Sequence, residues 1–289
     1  MPASALPRLT QASLPLIRSV MATNERGQRI AVTVPVERAL TLYLDRAEVV
    51  TLMTLGAHPE WLVLGYLLNQ RMVESVAEVE SVTVDWETGA AAVRTHRVSH
   101  HSTPRDASRV VTTGCGQGSM FSDLIDTVGP VPDTPPGVSQ ETLLAITDTI
   151  RRYDTLYKQA GSVHACALFD NDRLCLFVED VGRHNALDSI AGWRALQQPA
   201  TDPRERCPVL YTTGRLTSEM IIKSAQMQVP VVISRSGTTE MAIEVAQRYG
   251  VCTIGRALNQ RFTCYTHPWR IRFSKPTEPV RHPIPEVPQ

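Results

Sequence analysis

From Ser139 to about Thr266 the chain alternates short β-branched runs with stretches of helical spacing, a rhythm that a layered α/β sheet accommodates and few other folds do. Ser139 is placed to cap a helix running to about residue 158, with Leu143, Leu144, Ile146, Ile150 and Tyr153 at helical intervals. Residues 163–169 and 174–178 read as strands around the turn Asp170-Asn171-Asp172. Then come a helix over 185–196, a strand at 209–212, a helix over 218–228, a strand at 231–234 and a helix over 239–248 that Gly250 ends. Residues 251–255 and 262–266 complete the set. The expected class is α/β, with a partly parallel sheet and helices packed on it.

The first half has a different texture. Residues 29–34, 39–44 and 48–53 are strand candidates, the last two forming a hairpin about Asp45-Arg46. His58-Pro59-Glu60 opens a helix, since proline suits a first turn. Residues 79–86 and 90–95 flank Glu87-Thr88-Gly89 as a second hairpin. Between the halves, Gly129-Pro130-Val131-Pro132-Asp133-Thr134-Pro135-Pro136-Gly137 reads as a linker. The expected organisation is therefore a flexible tail over 1–27, a β-rich domain over 28–128, a linker over 129–138, an α/β domain over 139–273 and a proline-rich tail over 274–289.

Lysine plus arginine and aspartate plus glutamate balance at 29 each, which argues against a strongly basic nucleic-acid surface. No apolar run approaches the ~18 residues of a membrane span. No two of the six cysteines are separated by two residues, so no zinc pair or dithiol motif can be written, and the pattern fits a reducing cytoplasm. His96, His100 and His101 read as part of a solvated loop, because no carboxylate or cysteine spacing supports a metal site there.

In an open α/β sheet, ligands bind beyond the carboxyl ends of the parallel strands. Each such end here carries arginine: Arg183, Arg215, Arg235 and Arg256, with Arg261 close behind. Gly182, Thr213-Gly214 and Ser236-Gly237-Thr238 accompany them. If the crossovers are right-handed these ends share one edge, and a phosphate-bearing ligand is expected there. No GxGxxG or GxxxxGK[ST] fingerprint is present. His184 and Asp188, four residues apart beside Asp180, allow either a catalytic pair or a structural hydrogen bond. Cys115, in Thr113-Gly114-Cys115-Gly116, stands between glycines that leave its sulfur open to a bulky partner. It is either a reactive thiol or an incidental cysteine in a glycine-rich loop.

Glu179-Asp180-Val181-Gly182-Arg183-His184-Asn185-Ala186-Leu187-Asp188 resembles the signature of the formate dehydrogenase accessory sulfurtransferase family. Thr213-Gly214-Arg215, Ser218-Glu219-Met220, Ser234-Arg235-Ser236 and Arg261-Phe262-Thr263-Cys264-Tyr265-Thr266-His267-Pro268 resemble it too, in the same order. The resemblance implies a cytidine-deaminase-like fold for the C-terminal domain, without that enzyme's zinc motif. It implies a sulfurtransferase that takes persulfide sulfur from a cysteine desulfurase. The sulfur would pass to the bis-molybdopterin guanine dinucleotide form of the molybdenum cofactor, bound as cargo, before insertion into the catalytic subunit of formate dehydrogenase. The implied persulfide cysteine is Cys115, and the implied guanine-dinucleotide contacts are Arg256, Ala257, Leu258, Asn259, Gln260 and Arg261. Arg183, His184, Thr213, Arg215, Arg235 and Ser236 would complete the cofactor site. A cytoplasmic homodimer is also implied. Many family members carry a second cysteine three positions after the first, where this chain has Gly118. Transfer would then rest on one thiol, with release driven by the molybdenum centre or an outside reductant. The alternative is a chaperone that binds the cofactor without moving sulfur. A hydrolase or deaminase is disfavoured, because no HxE…CxxC set is present.

Overall fold

The computed structural model describes residues 6–96, 110–111, 128–133, 137–197 and 207–274. His100, His101, Cys115, Gly118, Thr134 to Pro136 and the tail from Lys275 lie outside the described residues.

In the first half the described strands are β1 (Arg8–Leu9), β2 (Ile17–Thr23), β3 (Arg29–Pro35), β4 (Arg38–Leu44), β5 (Ala47–Thr54), β6 (Val79–Asp85), β7 (Ala90–Thr95) and β8 (Val110–Val111). Helix α1 (Pro59–Asn69) follows β5, with Pro59 in its first turn as expected. Six strands form a sheet in the order β1-β6-β7-β4-β5-β8. The β4–β5 hairpin turns at Asp45 and Arg46, both at positive φ (46° and 79°). Its position is fixed by the Asp45 carboxylate, which accepts hydrogen bonds from Thr95 N (2.8 Å) and Thr95 Oγ1 (2.5 Å) on β7. Alternation along β4 sends Leu40, Leu42 and Leu44 into a core that α1 covers with Leu64, Leu67 and Val63.

Residues 6–27 are not the loose tail expected from their prolines. Strand β2 pairs antiparallel with β3 over seven residues, from Ile17↔Pro35 to Thr23↔Arg29, and the turn Asn24-Glu25-Arg26-Gly27 closes the ribbon. Pro7 and Pro15 stand outside that ladder, so they remove no donor from it.

The second half contains β9 (Val138–Ser139), α2 (Gln140–Arg152), α3 (Leu156–Ala160), β10 (His164–Asp170), β11 (Arg173–Asp180) and α4 (Arg183–Leu196). After these come β12 (Pro208–Thr212), α5 (Ser218–Gln226), β13 (Val231–Ser234), α6 (Glu240–Tyr249), β14 (Cys252–Leu258), β15 (Arg261–Cys264) and β16 (Ile271–Arg272). The main sheet has the order β11-β10-β12-β13-β14-β15, with β12, β13 and β14 parallel and the outer pairs antiparallel. Both faces are covered, which is why these strands read as nearly continuous apolar runs. Leu210 and Val232 face the core under α4, α5 and α6. Val209, Tyr211, Val231 and Ile233 face the opposite core under α2. The α/β class is as the sequence implies.

Two readings are corrected here. The helix begun at Ser139 does not reach Lys158: Tyr153 leaves helical geometry (φ −59°, ψ 139°). Thr155 then caps the separate helix α3, its Oγ1 accepting from Lys158 N at 3.1 Å. The Glu179 carboxylate also accepts from Leu156 N and Tyr157 N, holding that start. Nor is the proline-rich segment an open linker throughout. Val128 and Val131 are buried in the core. Val131 N donates to Tyr249 O at 2.8 Å, and buried Arg270 donates from Nη2 to Val131 O and Pro132 O.

The two halves meet through α1 and α4, whose backbones touch. A Cβ on Gly65 would fall 1.7 Å from Asp188 O, and one on Gly192 would fall 2.0 Å from Trp61 O. Only glycine fits at either position.

Candidate functional site

The segment Glu179 to Asp188 does structural work first. Asp180, at the end of β11, is buried against β5: Thr54 Oγ1 donates to its Oδ2 at 2.5 Å and Leu55 N does so at 3.3 Å. Gly182 N and Asn185 Nδ2 donate to its Oδ1, and Asn185 Nδ2 also reaches Met53 O at 2.7 Å. This clasp joins the N-terminal sheet to the start of α4. His184 and Asp188 do not pair. Asp188 instead accepts from Lys223 Nζ at 2.9 Å on α5 and from Asn69 Nδ2 at 2.6 Å on α1. His184 is a neutral imidazole, its pKa drawn down to about 2 by burial and then by the Lys223 and Arg183 charges. Both ring nitrogens lack hydrogen-bond partners among the described residues, with Glu219 Oε2 3.6 Å from Nε2.

Burial holds the Asp180 carboxyl up at about 6, against the lowering effect of its four hydrogen-bond donors. A folded-state pKa above the unfolded value adds stability that is complete below the unfolded pKa and lost as pH rises through about 6. The full contribution is on the order of 3 kcal/mol. Comparison of urea midpoints for wild type and Asp180→Asn should show the wild-type advantage shrinking by about 1–2 kcal/mol between pH 5 and pH 7.5. Parallel pH profiles for the two proteins would contradict this.

The carboxyl ends of β11, β12, β13 and β14 lie along one edge, and their loops are laced together. Arg235 N donates to Thr212 O, Ser234 Oγ to Gly214 O at 2.6 Å, and Arg256 N to Ser236 O at 2.7 Å. Strand β14 runs beyond the expected end at Gly255, with a bulge between Gly255 and Leu258 that leaves Arg256 at φ 53°. Asn259 and Gln260, both at positive φ, form the two-residue turn into β15.

A cleft of about 680 Å³ opens at this edge. Of the site residues expected from sequence, Thr213, Arg235, Ser236, Ala257, Leu258, Asn259 and Gln260 line it. Gln260 Nε2 donates to Asp148 Oδ2 at 3.1 Å, tying the turn to α2 on the opposite wall. The Arg235 guanidinium lies over the Tyr157 ring, 5.9 Å from its centroid. Arg183, His184, Arg215, Arg256 and Arg261 do not line the cleft. Arg183 and Arg215 form a cluster with His164, which does line it. Burial lowers the His164 pKa first, and the two guanidinium groups lower it further. Arg215, Arg235, Arg256 and Arg261 are exposed, and none is ion-paired among the described residues. His164 and Tyr157 were not expected from sequence. The first sits at the head of an apolar strand, and the second falls in the single long helix read from sequence, which hid the break that sets α3 apart.

Cys115 lies outside the described residues, but the strand before it is placed. Strand β8 pairs parallel to β5 as Thr51↔Val110 and Leu52↔Val111, and so runs toward the Thr54 end that Asp180 clasps. Five cysteines are described. Burial pushes the Cys166 thiol up to about 12 and raises Cys207 as well. Cys252 is raised and Cys264 lowered by the contact between their sulfurs, 3.8 Å apart.

The arrangement is that of a mixed α/β protein with several sheets and a cleft on an arginine-rich strand edge. The FdhD/NarQ family model matches residues 35–272, and the chain belongs to that family. Sulfur carrier protein FdhD of Bacillus subtilis (strain 168) is 33% identical over 241 residues, spanning 82% of this chain and 89% of that protein. Its counterpart in Bacillus pumilus (strain SAFR-032) is 31% identical over 237 residues, 81% and 88% of the two chains. A crystal structure described as a formate dehydrogenase accessory protein from Desulfotalea psychrophila has the same fold. It gives a TM-score of 0.69 at 23% identity and covers 90% of this chain and 100% of that one.

Proposed function

We propose that this protein is a sulfur carrier that accepts persulfide sulfur on Cys115 from a cysteine desulfurase and passes it to the bis-molybdopterin guanine dinucleotide molybdenum cofactor, for use by formate dehydrogenase. The family and the names of its relatives support the carrier role. The observation that carries the ligand assignment is the cleft at the arginine edge, a concave site within the roughly 300–1,000 Å³ typical of small-molecule pockets. On this reading Arg235 meets phosphate, with the Ser236 hydroxyl beside it. The half-exposed Tyr157 ring and the Leu258-Asn259-Gln260 turn flank the base. Arg183 and Arg215, close to the cleft-lining His164, add positive potential beside the cleft, which favours an anion over a neutral ligand. The mixed order of the second sheet fits the cytidine-deaminase-like type. A cytoplasmic homodimer completes the proposal.

The transfer chemistry balances with one thiol. The Cys115 thiolate attacks the terminal sulfur of the donor persulfide, the donor S–S bond breaks, and the donor cysteine leaves as thiolate. In delivery, the terminal sulfur takes two electrons from the reduced molybdenum centre and becomes its sulfide ligand, while Cys115 departs as thiolate.

Guanosine diphosphate, one arm of the cargo, tests the cleft. Calorimetric titration should show Arg235→Ala weakening binding roughly tenfold to a hundredfold, the loss expected for charge-assisted hydrogen bonds to phosphate. Arg235→Lys should recover only part of this, because lysine lacks the planar fork. Arg261→Ala, outside the cleft, should weaken binding less. Unchanged affinity in Arg235→Ala would place the nucleotide elsewhere.

A further inference from the structure

Two cysteines outside the cleft meet across neighbouring strands. Cys252 opens β14 and Cys264 closes β15. The ladder pairs Ile254 with Cys264, and Cys252 stands two residues before Ile254. Side chains two apart on a strand share a face, so both sulfurs belong to the core beneath α2. They lie 3.8 Å apart, close enough for one thiol to donate to the other, and neither is in a disulfide. In the neutral form the Cys264 thiol also donates to Thr266 O at 3.2 Å, which fixes its side chain beside its partner. The two differ in exposure. Cys252 is fully buried, whereas Cys264 is partly exposed on the last strand of the sheet. They differ in acidity as well. The hydrogen bond from Cys252 lowers the Cys264 pKa and outweighs burial, which raises it. Cys207, just before β12, is the remaining described cysteine packed in this core.

We propose that Cys252 and Cys264 form a peroxide-reactive dithiol, with Cys264 as the attacking sulfur and Cys252 as the resolving one. The Cys264 thiolate attacks one oxygen of hydrogen peroxide and the O–O bond breaks. Cys264 becomes a sulfenic acid, and the leaving hydroxide takes a proton and departs as water. Cys252 sulfur then attacks the sulfenic sulfur, the S–O bond breaks, and the second hydroxide leaves as water with the Cys252 proton. Two thiols and one peroxide thus give one disulfide and two waters, each sulfur losing one electron. The bond draws the sulfurs in to about 2.05 Å. Strand β15 has no neighbour on its far side in the sheet, so its approach to β14 breaks no second ladder. A resolving thiol in contact stops oxidation at a reversible disulfide, before the irreversible sulfinic acid. The site is separate from the proposed carrier chemistry: neither cysteine lines the cleft, and no sulfur is transferred.

Peroxide treatment of the reduced full chain, followed by denaturation, alkylation and tryptic mapping, tests this. Cleavage after Arg256 and Arg261 puts the two cysteines on different peptides, which only a disulfide can join. Treatment should cost the alkylatable thiols of Cys252 and Cys264 together, and dithiothreitol should restore both. The same two should be lost in Cys115→Ala, where oxidation of Cys115 cannot enter the count. Cys252→Ala should leave Cys264 as a sulfenic acid that dimedone traps. Excess peroxide should then carry it to sulfinic acid, which dithiothreitol does not reverse and which wild type should not accumulate. Cys264→Ala should leave Cys252 alkylatable after treatment. Both thiols of wild type surviving peroxide would overturn the proposal, and so would Cys252 joined to Cys207 instead. Equal accumulation of sulfinic acid in wild type and Cys252→Ala would overturn the resolving role.

Discussion

Cys115→Ala is expected to reduce sulfur loading and formate dehydrogenase maturation to background while leaving the fold intact. The nucleophile in persulfide exchange is the thiolate, so a cysteine whose thiol is held neutral by burial is a poor substitute. That description covers Cys166, with its thiol up at about 12, and Cys207, raised by the same cause. Cys252 is fully buried and raised by its contact with Cys264 and then by burial. Cys264 is the one described cysteine shifted toward thiolate, so it is the proper competitor to Cys115. Incubation with a cysteine desulfurase and radiolabelled cysteine, followed by peptide mapping, should place the label on Cys115. Label on Cys264, together with full activity of Cys115→Ala, would sink the assignment.

Lys223→Met should have the largest effect on stability, destabilising the chain by about 3–5 kcal/mol, the usual consequence of leaving one partner of a buried ion pair alone. Lys223 is 3% exposed and Asp188 is 2% exposed, so solvent does little to screen either charge. Burial opposes the Lys223 charge, but Asp188 and then Glu219 attract it strongly enough to raise its pKa overall. With the cation gone, Asp188 keeps only the Asn69 amide as a donor among the described residues, and its other oxygen is left buried without one. The double variant Lys223→Met with Asp188→Asn removes both charges and should recover most of the loss. Urea unfolding of the two single variants and the double variant gives the coupling directly. A coupling below about 0.5 kcal/mol would show the pair to be energetically idle.

The strand and helix order of the second half was legible because both cores impose regular periods on Val, Ile and Leu. The arginine edge was legible for a related reason: parallel strands must all end on the same side. Other features depend on partners distant in sequence, which no local pattern reveals. Strand β3 was legible as residues 29–34, but its partner β2 was not, because it lies in a proline-punctuated stretch whose Pro7 and Pro15 fall outside the ladder. Val131 looked like part of a linker because the residues that pack on it, Tyr249 and Arg270, are more than a hundred positions away. The pairing of His184 with Asp188 followed helical spacing correctly, but spacing cannot show that Lys223 and Asn69 reach the carboxylate from other helices. His164 gave no signal, since a histidine at the head of an apolar strand resembles any strand terminus.

The clasp of Asp180 and Asn185 onto Thr54, Leu55 and Met53 makes the ligand site conditional on the assembly of the whole chain. The start of α4, and with it Arg183, is held by backbone and hydroxyl groups that the first half supplies only once β5 is in its sheet. A nascent or proteolysed chain lacking that sheet would present the arginine edge with one corner unanchored. If the proposed ligand binds at that edge, its capture would act as a checkpoint that admits only chains whose two halves have already found each other.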